Sequence, residues 1–277
     1  MEILHLKTVS NENSIGFFDS GVGGLTIFQE VVKQLPHENL VYLGDTANFP
    51  YGNKSPEDIL RFSQENADFL LSKNIKLLVI PCYTASSHAY ESLQRTLSIP
   101  VITVAKSGIE QLAVSTQTNS VAILGTTRTI ESGFLQTQLL AINPLLQIQA
   151  IACPLFASFV EEGLHNHPIL RQIAKHYLAP LKKAAVDCAL LACTHYSFLT
   201  PIIQETLGPN VQLISPASYC AKEITNFLDK AKMLNPSRET PKHTFYVTAH
   251  SPNFHDQAKI FIPNMTASVF KTVSVKN

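Results

Sequence analysis

The chain has 277 residues, of which 45% are hydrophobic and only 15% charged, so it can bury a large core and divide into two domains. Its 21 basic and 21 acidic residues cancel, and no net field attracts nucleic acid or an anionic membrane surface. We therefore expect a globular protein that binds neither nucleic acid nor a membrane.

The N-terminal segment and the cysteine content indicate the compartment. The first thirteen residues, MEILHLKTVSNEN, hold no sustained apolar run and do not resemble a signal peptide. No later segment is long enough to cross a bilayer. We expect a cytoplasmic protein whose five cysteines are free thiols, because disulfides are rare in a reducing compartment.

Short apolar runs alternate with helical patterns along the chain. Runs of this kind are typical of parallel strands that are buried on both faces. The runs are SIGFF, NLVYLG, IKLLVIP, PVITV, SVAILG, LQIQAIAC, CALLAC and VQLIS. Segments with apolar residues at helical spacing lie at 24–35, 56–73, 86–97 and 167–185. The alternation of strand and helix predicts an α/β fold.

Polar residues follow four of the predicted strands, at the edge where α/β sheets bind their ligands. The four segments are DSGVGG at 19–24, DT at 45–46 with PYG at 50–52, CYTAS at 82–86 and CTHY at 193–196. The glycine-rich segment lacks the lysine of a P-loop and the GxGxxG spacing. We expect its backbone N–H groups and Ser20 to bind a carboxylate instead.

An internal echo relates two of these segments. KLLVIPCYTAS and CALLACTHYSF each lead from an apolar strand into a cysteine that hydroxyl-bearing residues follow. The echo suggests two lobes that face one cleft. We place the crossover between the lobes in the polar stretch at 105–117.

The cysteines of this echo, Cys82 and Cys193, are the candidate chemical groups. Thr84 and Ser86 begin the helix after Cys82, and the field at a helix N-terminus lowers the pKa of a thiol. The same argument applies to Cys193, which has His195 two positions further on. Two thiols on opposite lobes can act as base and acid on the two faces of one carbon, which inverts its configuration.

Cysteine has other roles that these residues could serve. Cys153, Cys188 and Cys220 lack comparable polar surroundings, and we interpret them as buried structural residues. A metal site at Cys193 and His195 would lack the usual CxxC or HxxxH spacing, and we predict none. A papain-like nucleophile would leave the second strand-end cysteine unexplained. A redox dithiol would need a shorter spacing.

Five motifs in order resemble the glutamate racemase family: FFDSGVGGLT, YLGDTANFPYGNKS, CYTAS, CPLFASFVEEG and LACTHY. The resemblance extends from about Ser14 to the FYVTAH segment. It implies two pseudo-symmetric α/β domains, each with a mainly parallel sheet flanked by helices, and an active site in the cleft between them. We place the first domain at residues 14–105 and 216–277, with Cys82, and the second at residues 106–215, with Cys193.

The resemblance also implies an activity. A protein of this family would interconvert L- and D-glutamate without a cofactor, supply D-glutamate for bacterial peptidoglycan, and form a homodimer. Cys82 would remove the α-proton of the D-isomer, and Cys193 would remove that of the L-isomer.

The remaining site residues are carried over from the same motifs. Asp19 would assist the first thiol and, with Ser20, meet the amino and carboxylate ends of the substrate. His195 and Glu161 would assist the second thiol, with Glu162 as an adjacent competitor. A structural histidine and a solvated helix carboxylate are the alternative interpretations of His195 and Glu161. The other residues expected to bind or line the substrate are Pro50, Tyr51, Gly52, Tyr83, Thr84 and Thr194.

The sequence departs from the family pattern after its first site cysteine. Tyr83 replaces an asparagine, and a phenol hydroxyl cannot supply the donor and acceptor of an amide together. Ser197 also stands where the family usually has proline, which leaves that turn less constrained. Two alternatives therefore stay open: a related racemase that acts on aspartate or hydantoin, and a binding protein with weakened catalysis.

Overall fold

The computed structural model describes residues 10–250, 252–262 and 270–275. Within these residues the chain forms two sheets flanked by helices, and every strand pairing is parallel. The α/β prediction is therefore confirmed. Residues 1–9, which carry most of the signal-peptide argument, lie outside the described part, as do residues 251, 263–269 and 276–277 of the predicted first domain.

The larger sheet has the strand order β10-β9-β2-β1-β3-β4. Its strands are β1 (Ser14–Asp19), β2 (Leu40–Gly44), β3 (Ile75–Ile80), β4 (Val101–Thr103), β9 (His243–Val247) and β10 (Phe270–Thr272). The first four match predicted apolar runs and are almost wholly buried. The last two were not predicted from apolar runs, because their residues alternate or are mainly exposed.

The smaller sheet has the strand order β6-β5-β7-β8. Its strands are β5 (Ser120–Gly125), β6 (Gln147–Ala152), β7 (Cys188–Ala192) and β8 (Gln212–Ile214). All four match predicted runs. The central strands β5 and β7 are buried throughout, whereas the edge strand β6 is half-buried.

Helices cover the faces of both sheets. They are α1 (Leu25–Gln34), α2 (Pro56–Leu71), α3 (Tyr83–Thr96), α4 (Val104–Ser115), α5 (Thr127–Glu131), α6 (Phe134–Ile142), α7 (Pro154–Glu161), α8 (Ile169–Leu178), α9 (Leu181–Ala184), α10 (Thr200–Leu207), α11 (Ala217–Lys230) and α12 (Pro252–Phe261). No helix in the described residues is long and apolar enough to cross a membrane.

Three helix predictions need correction. Helix α3 begins at Tyr83, three residues before the predicted start. The single helix predicted at 167–185 is two helices, α8 and α9, and Pro180 lies between them, where its ring and missing N–H oppose a continuous helix. The polar stretch at 105–117 is mostly helix α4, which buries residues such as Ile109 and Leu112.

A shared hydrophobic cluster joins the two sheets. It combines Ile15 and Phe17 of β1 with Val121 of β5 and Leu190 of β7, and it includes side chains from α4 and α11. Two further clusters cover the outer faces of the larger and the smaller sheet. The strands of residues 14–103 and 243–272 form one sheet and those of residues 120–214 form the other. The domain boundaries at 105/106 and 215/216 stay predictions, and the first of them falls inside α4.

A buried ion pair stabilises the amino ends of the strands in the larger sheet. The Lys76 side chain is fully buried, and its Nζ lies 2.6 Å from Oε2 of Glu38. The same ammonium donates to the carbonyls of Asn11 and Met233, at 2.6 and 2.8 Å. The other Glu38 oxygen accepts the backbone N–H of Asn235 at 2.8 Å. Because Lys76 satisfies three acceptors, it connects β3 to the segments that flank the sheet.

We predict that Lys76→Met lowers the free energy of unfolding by about 3–5 kcal/mol, because it leaves the Glu38 carboxylate buried without a counter-charge. Urea denaturation measures the change. The matched control is Lys33→Met, which removes an exposed pair with Glu30 and costs less than about 1 kcal/mol. Equal losses in the two variants would contradict the role of the buried pair.

Candidate active site

A small cavity lies where the carboxyl ends of the two sheets face each other. Residues from both sheets line it: Ser20, Phe49, Pro50, Tyr51, Gly52, Cys82, Tyr83, Thr84, Thr126, Ala157, Cys193, Thr194 and His195. Ten of these residues were singled out from the sequence. The cavity brings both candidate thiols together, although 110 residues of chain separate them.

Cys82 follows strand β3 and is the N-cap residue of α3. Its Sγ lies 3.9 Å from the hydroxyl of Ser20. Burial raises the pKa of this thiol far above its ordinary value, and the nearby Asp19 carboxylate raises it further. The prediction that the field of the helix lowers this pKa is therefore wrong for the protein without substrate. The loss of hydration on burial outweighs the hydrogen bonds from backbone N–H groups.

Asp19 ends strand β1 and is fully buried. Its carboxylate accepts the N–H of Gly21 at 2.9 Å and the hydroxyl of Thr194 at 3.3 Å. Burial raises the pKa of Asp19 to about 6, although the charge of His195 and the bond from Gly21 act in the opposite direction. Asp19 does not line the cavity but lies directly behind residues that do.

Cys193 follows strand β7 and precedes a 3₁₀ helix at Thr194–Leu199. The sequence predicted an α-helix N-terminus beside this thiol, but the structure has a 3₁₀ helix there instead. Nδ1 of His195 lies 3.7 Å from the sulfur. Burial opposes a charge on His195, but the bonds to Cys193 and Glu161 outweigh it and raise the pKa of the imidazole well above its ordinary value.

The structure distinguishes between Glu161 and Glu162. Oε1 of Glu161, the last residue of α7, lies 2.6 Å from Nε2 of His195. Glu162 is exposed and accepts a bond from Asn253 at 3.0 Å. Glu161 is therefore the carboxylate that contacts the histidine next to Cys193.

The glycine-rich turn does not present free donors as expected. The N–H of Gly21 donates to Asp19, and the N–H of Val22 donates to Oε1 of Glu161 at 2.7 Å. The turn therefore does bind a carboxylate, but the carboxylate belongs to the protein. Only Ser20 of this turn lines the cavity.

The segment from Pro50 to Gly52 forms one wall of the cavity. The Tyr51 hydroxyl donates to the buried carboxylate of Asp45, which also accepts bonds from Asn48 at 3.0 Å and Thr248 at 2.7 Å. A Cβ added at Gly52 would lie 2.6 Å from Cβ of Thr126. This glycine therefore allows the wall to contact the second sheet.

Sequence reasoning missed three lining residues, Phe49, Thr126 and Ala157. Thr126 follows strand β5, at the same edge as Cys193, so its position after the run SVAILG was a usable signal. Its hydroxyl lies 3.0 Å from that of Thr84 and 3.0 Å from that of Thr129. This group of three threonine hydroxyls connects α3 to the end of the second sheet.

Tyr83 lines the cavity, but its hydroxyl lies in the core between the sheets. A Cβ added at Gly108 would lie 2.2 Å from this oxygen and 3.1 Å from Cδ1 of Leu190. No residue in the described part of the chain forms a hydrogen bond with the hydroxyl. The expectation that the phenol hydroxyl bonds the substrate is therefore not supported by its position.

The site combines two thiols from different sheets with a buried carboxyl group and a histidine–carboxylate pair. These groups are suited to proton transfer by general acid–base catalysis. In the described residues, no three His, Cys, Asp or Glu side chains are placed to hold a metal ion.

The chain belongs to the Asp/Glu/Hydantoin racemase family, whose model matches residues 16–224. It is therefore an isomerase, and the family resemblance is confirmed.

Named relatives agree with this assignment. The glutamate racemase of Geobacter metallireducens is 40% identical over 258 residues, which are 93% of this chain and 96% of that protein. The glutamate racemase of Francisella tularensis, solved in complex with D-glutamate, has a TM-score of 0.90 at 32% identity and covers 96% of this chain and 99% of its own. A glutamate racemase isoform from Bacillus anthracis has a TM-score of 0.90 at 34% identity, with coverage of 95% and 98%.

We predict that Asp19→Asn removes a pH-dependent loss of stability. Free aspartate ionises near pH 4, whereas folded Asp19 ionises near pH 6. As pH rises, Asp19 loses its proton in the unfolded chain before it does so in the folded protein. This favours the unfolded chain, and the wild-type protein loses stability between about pH 4 and pH 6. The free energy of unfolding of the variant minus that of wild type should rise over this interval by up to about 3 kcal/mol. Urea denaturation at several pH values measures it.

Asp58→Asn is the control for this experiment. Bonds from Arg61 and Ser55 lower the pKa of Asp58, which is exposed, so its ionised form stabilises the fold. This variant should lose stability relative to wild type as pH rises through about 4, in the opposite direction. If the difference in free energy of unfolding between Asp19→Asn and wild type does not change with pH, the raised pKa of Asp19 is contradicted.

We predict that Gly108→Ala destabilises the protein by about 1–3 kcal/mol, because its Cβ would overlap the Tyr83 hydroxyl. Tyr83→Phe removes only that oxygen and should not lower stability. In the Tyr83→Phe background, Gly108→Ala should cost little or stabilise helix α4 by up to about 1 kcal/mol. Thermal unfolding of the four proteins measures the coupling, and additive effects would exclude the contact.

Proposed function

We propose that the chain is a glutamate racemase that interconverts L- and D-glutamate with Cys82 and Cys193 as paired acid and base. The observation that carries the proposal is that two buried thiols, each at the end of a strand in a different sheet, line one cavity. Stereoinversion needs a base on one face of the α-carbon and an acid on the other. The names of relatives at about 40% identity support glutamate as the substrate.

The reaction transfers one proton in each direction. With L-glutamate, the Cys193 thiolate takes the α-proton, and the electron pair of that bond stays on the carbon. The Cys82 thiol then gives its proton to the opposite face, and the product is D-glutamate. The reverse reaction exchanges the roles of the thiols. No oxidant, reductant or cofactor is needed, because only protons change position.

The charged groups behind each thiol fit these roles. On the Cys193 side, the bond between His195 and Glu161 orients the imidazole next to the sulfur, and a cationic imidazole favours a thiolate. On the Cys82 side, Asp19 is the nearby carboxyl group. The ammonium of a bound amino acid would bring a positive charge to this side and lower the pKa of the Cys82 thiol again.

The cavity suits a small polar ligand. It is small and polar groups line it, and its hydroxyl groups can bond the carboxylates of glutamate. The residues in this role are Ser20, Thr84 and Thr126. The Thr194 hydroxyl donates its proton to Asp19 and can accept a bond from the substrate ammonium instead. Asp19 lies behind Ser20 and Thr194, which donate to it, and in this proposal its negative charge favours the substrate ammonium from that position.

Supply of D-glutamate to peptidoglycan in the cytoplasm follows as part of the proposal, since the relatives that support it are bacterial glutamate racemases. The homodimer that the resemblance implies stays a prediction, which light scattering after gel filtration would test. Aspartate and hydantoin racemases of the same family are the alternative substrate classes.

We predict that the purified, reduced protein racemises both D- and L-glutamate without an added cofactor. Circular dichroism should show both enantiomers converging to zero signal. Cys82→Ser and Cys193→Ser should each lower the rate at least about 100-fold, because a serine hydroxyl is a far weaker acid than a thiol and has almost no anionic form to act as the base near neutral pH. Cys188→Ser is the matched control: Cys188 is also buried but begins β7 at the end remote from the cavity, and the rate should not change.

Three results would oppose the proposal in different ways. A fully active single variant at Cys82 or Cys193 would exclude the two-thiol mechanism. If the folded wild-type protein does not racemise glutamate but racemises aspartate or a hydantoin, the substrate assignment is wrong and the two-thiol mechanism is still supported. Binding of glutamate without racemisation would instead favour a binding protein.

A further inference from the structure

The turn after strand β1 contacts the second half of the molecule through its backbone. Val22 lies in this turn, and its N–H donates to Oε1 of Glu161 at 2.7 Å. Glu161 ends helix α7, which packs against the smaller sheet through Phe156 and Val160. This bond therefore exists only while the two sheets face each other as they do in this structure.

The oxygen that accepts this bond also contacts the histidine next to Cys193. Oε1 of Glu161 lies 2.6 Å from Nε2 of His195, and Nδ1 of the same ring lies 3.7 Å from the Cys193 sulfur. A single carboxylate oxygen is thus shared between a backbone donor of the first half and an imidazole of the second. Displacing this oxygen would move the imidazole relative to the thiol.

Glycine is required in the turn for this approach. A Cβ at Gly21 would lie 2.0 Å from Oε1 of Glu161. A Cβ at Gly23 would lie 2.3 Å from Oγ1 of Thr194 and 2.7 Å from Nδ1 of His195. Neither glycine has a positive φ in the described structure. Their role is therefore to leave space for the residues around Cys193, and not to permit an unusual backbone conformation.

We propose that the Gly21–Val22 backbone is an interdomain latch that positions Glu161 on His195, so that proton transfer at Cys193 is efficient only when the two domains are closed. Gly21 and Val22 are positioning residues in this proposal, since they act through Glu161. The proposal rests on the proposed racemase function for its kinetic consequence. It does not depend on that function for its geometry, which unfolding experiments report separately.

The latch acts on one of the two thiols, and this asymmetry is measurable. The equilibrium constant of a racemisation is one, so kcat/KM must be equal in the two directions for every variant. The asymmetry appears instead in isotope effects of α-deuterated substrates. Slower transfer at Cys193 makes that step more rate-limiting. The effect should then rise for deuterated L-glutamate, whose proton Cys193 removes, and fall towards one for the deuterated D-isomer.

The test compares Gly21→Ala with wild type. The added methyl group should displace the Glu161 carboxylate and lower kcat/KM about 100-fold, a loss expected for a misplacement of about 1 Å near the reacting groups. The isotope effect on kcat/KM should rise with α-deuterated L-glutamate and fall with the D-isomer. Gly16→Ala lies on strand β1, before the turn, and the three atoms nearest to its added Cβ all belong to the Ile75 side chain; this variant should change neither isotope effect.

A double variant separates the latch from general damage. Glu161→Ala removes the two closest atoms that the new methyl group would meet and leaves only Cδ2 of Phe49, at 3.2 Å, among the three nearest. A small shift of that ring relieves the remaining contact, so Gly21→Ala should reduce kcat/KM only about twofold further in that background. The unfolding midpoint that Gly21→Ala lowers should also recover. Glu162→Ala, the adjacent exposed carboxylate, should rescue neither quantity.

The outcomes separate the latch from the proposed function. Equal changes of the two isotope effects, or multiplicative losses in the double variant, would overturn the latch. If wild type does not racemise glutamate, the proposed function fails. The unfolding midpoints of the same variants then decide the latch: recovery in the double variant supports it, and additive losses overturn it.

Discussion

The burial of charged groups at the junction of the two sheets is the constraint on which the site depends. Asp19 and His195 are almost completely removed from water, and a buried charge is costly unless hydrogen bonds and an opposite charge compensate it. The compensating groups come from across the junction: Thr194 donates to Asp19, and Val22 donates to Glu161. The contacts that hold the halves together are therefore also the contacts that set the charge around each thiol.

This constraint explains the glycines of the first motif better than backbone conformation does. A tight turn would need glycine for a positive φ, but the described glycines with positive φ are Gly133, Gly163 and Gly208, and none of them belongs to the turn. Gly21 and Gly23 instead face side chains of the second half at distances that exclude a Cβ. The motif is a contact surface for the opposite domain, and a sequence pattern alone does not distinguish close approach from unusual φ.

The sequence predicts the parts of the fold and site that depend on local order. Buried strands such as β3 and β7 have continuous apolar runs, and the cysteines that follow them reach the cavity. The raised pKa of Cys82 could not be predicted, because desolvation depends on residues far away in the chain. Thr126 was missed for a related reason: its neighbours Thr84 and Thr129 become a hydroxyl cluster only after folding. Strands β9 and β10, at one side of the larger sheet, lack the burial that produces an apolar run.

The position of Tyr83 shows how the fold accommodates its departure from the family pattern. The residue immediately follows Cys82, which lines the cavity, so a larger side chain there could have obstructed the cavity. Its hydroxyl instead reaches the core between the sheets, where Gly108 leaves room for it and Leu190 packs nearby. The cavity therefore loses the polar amide of the family pattern rather than gaining the phenol hydroxyl. If the proposed function holds, the remaining cavity hydroxyl groups, among them those of Thr84 and Thr126, are the donors and acceptors left for the substrate on this side.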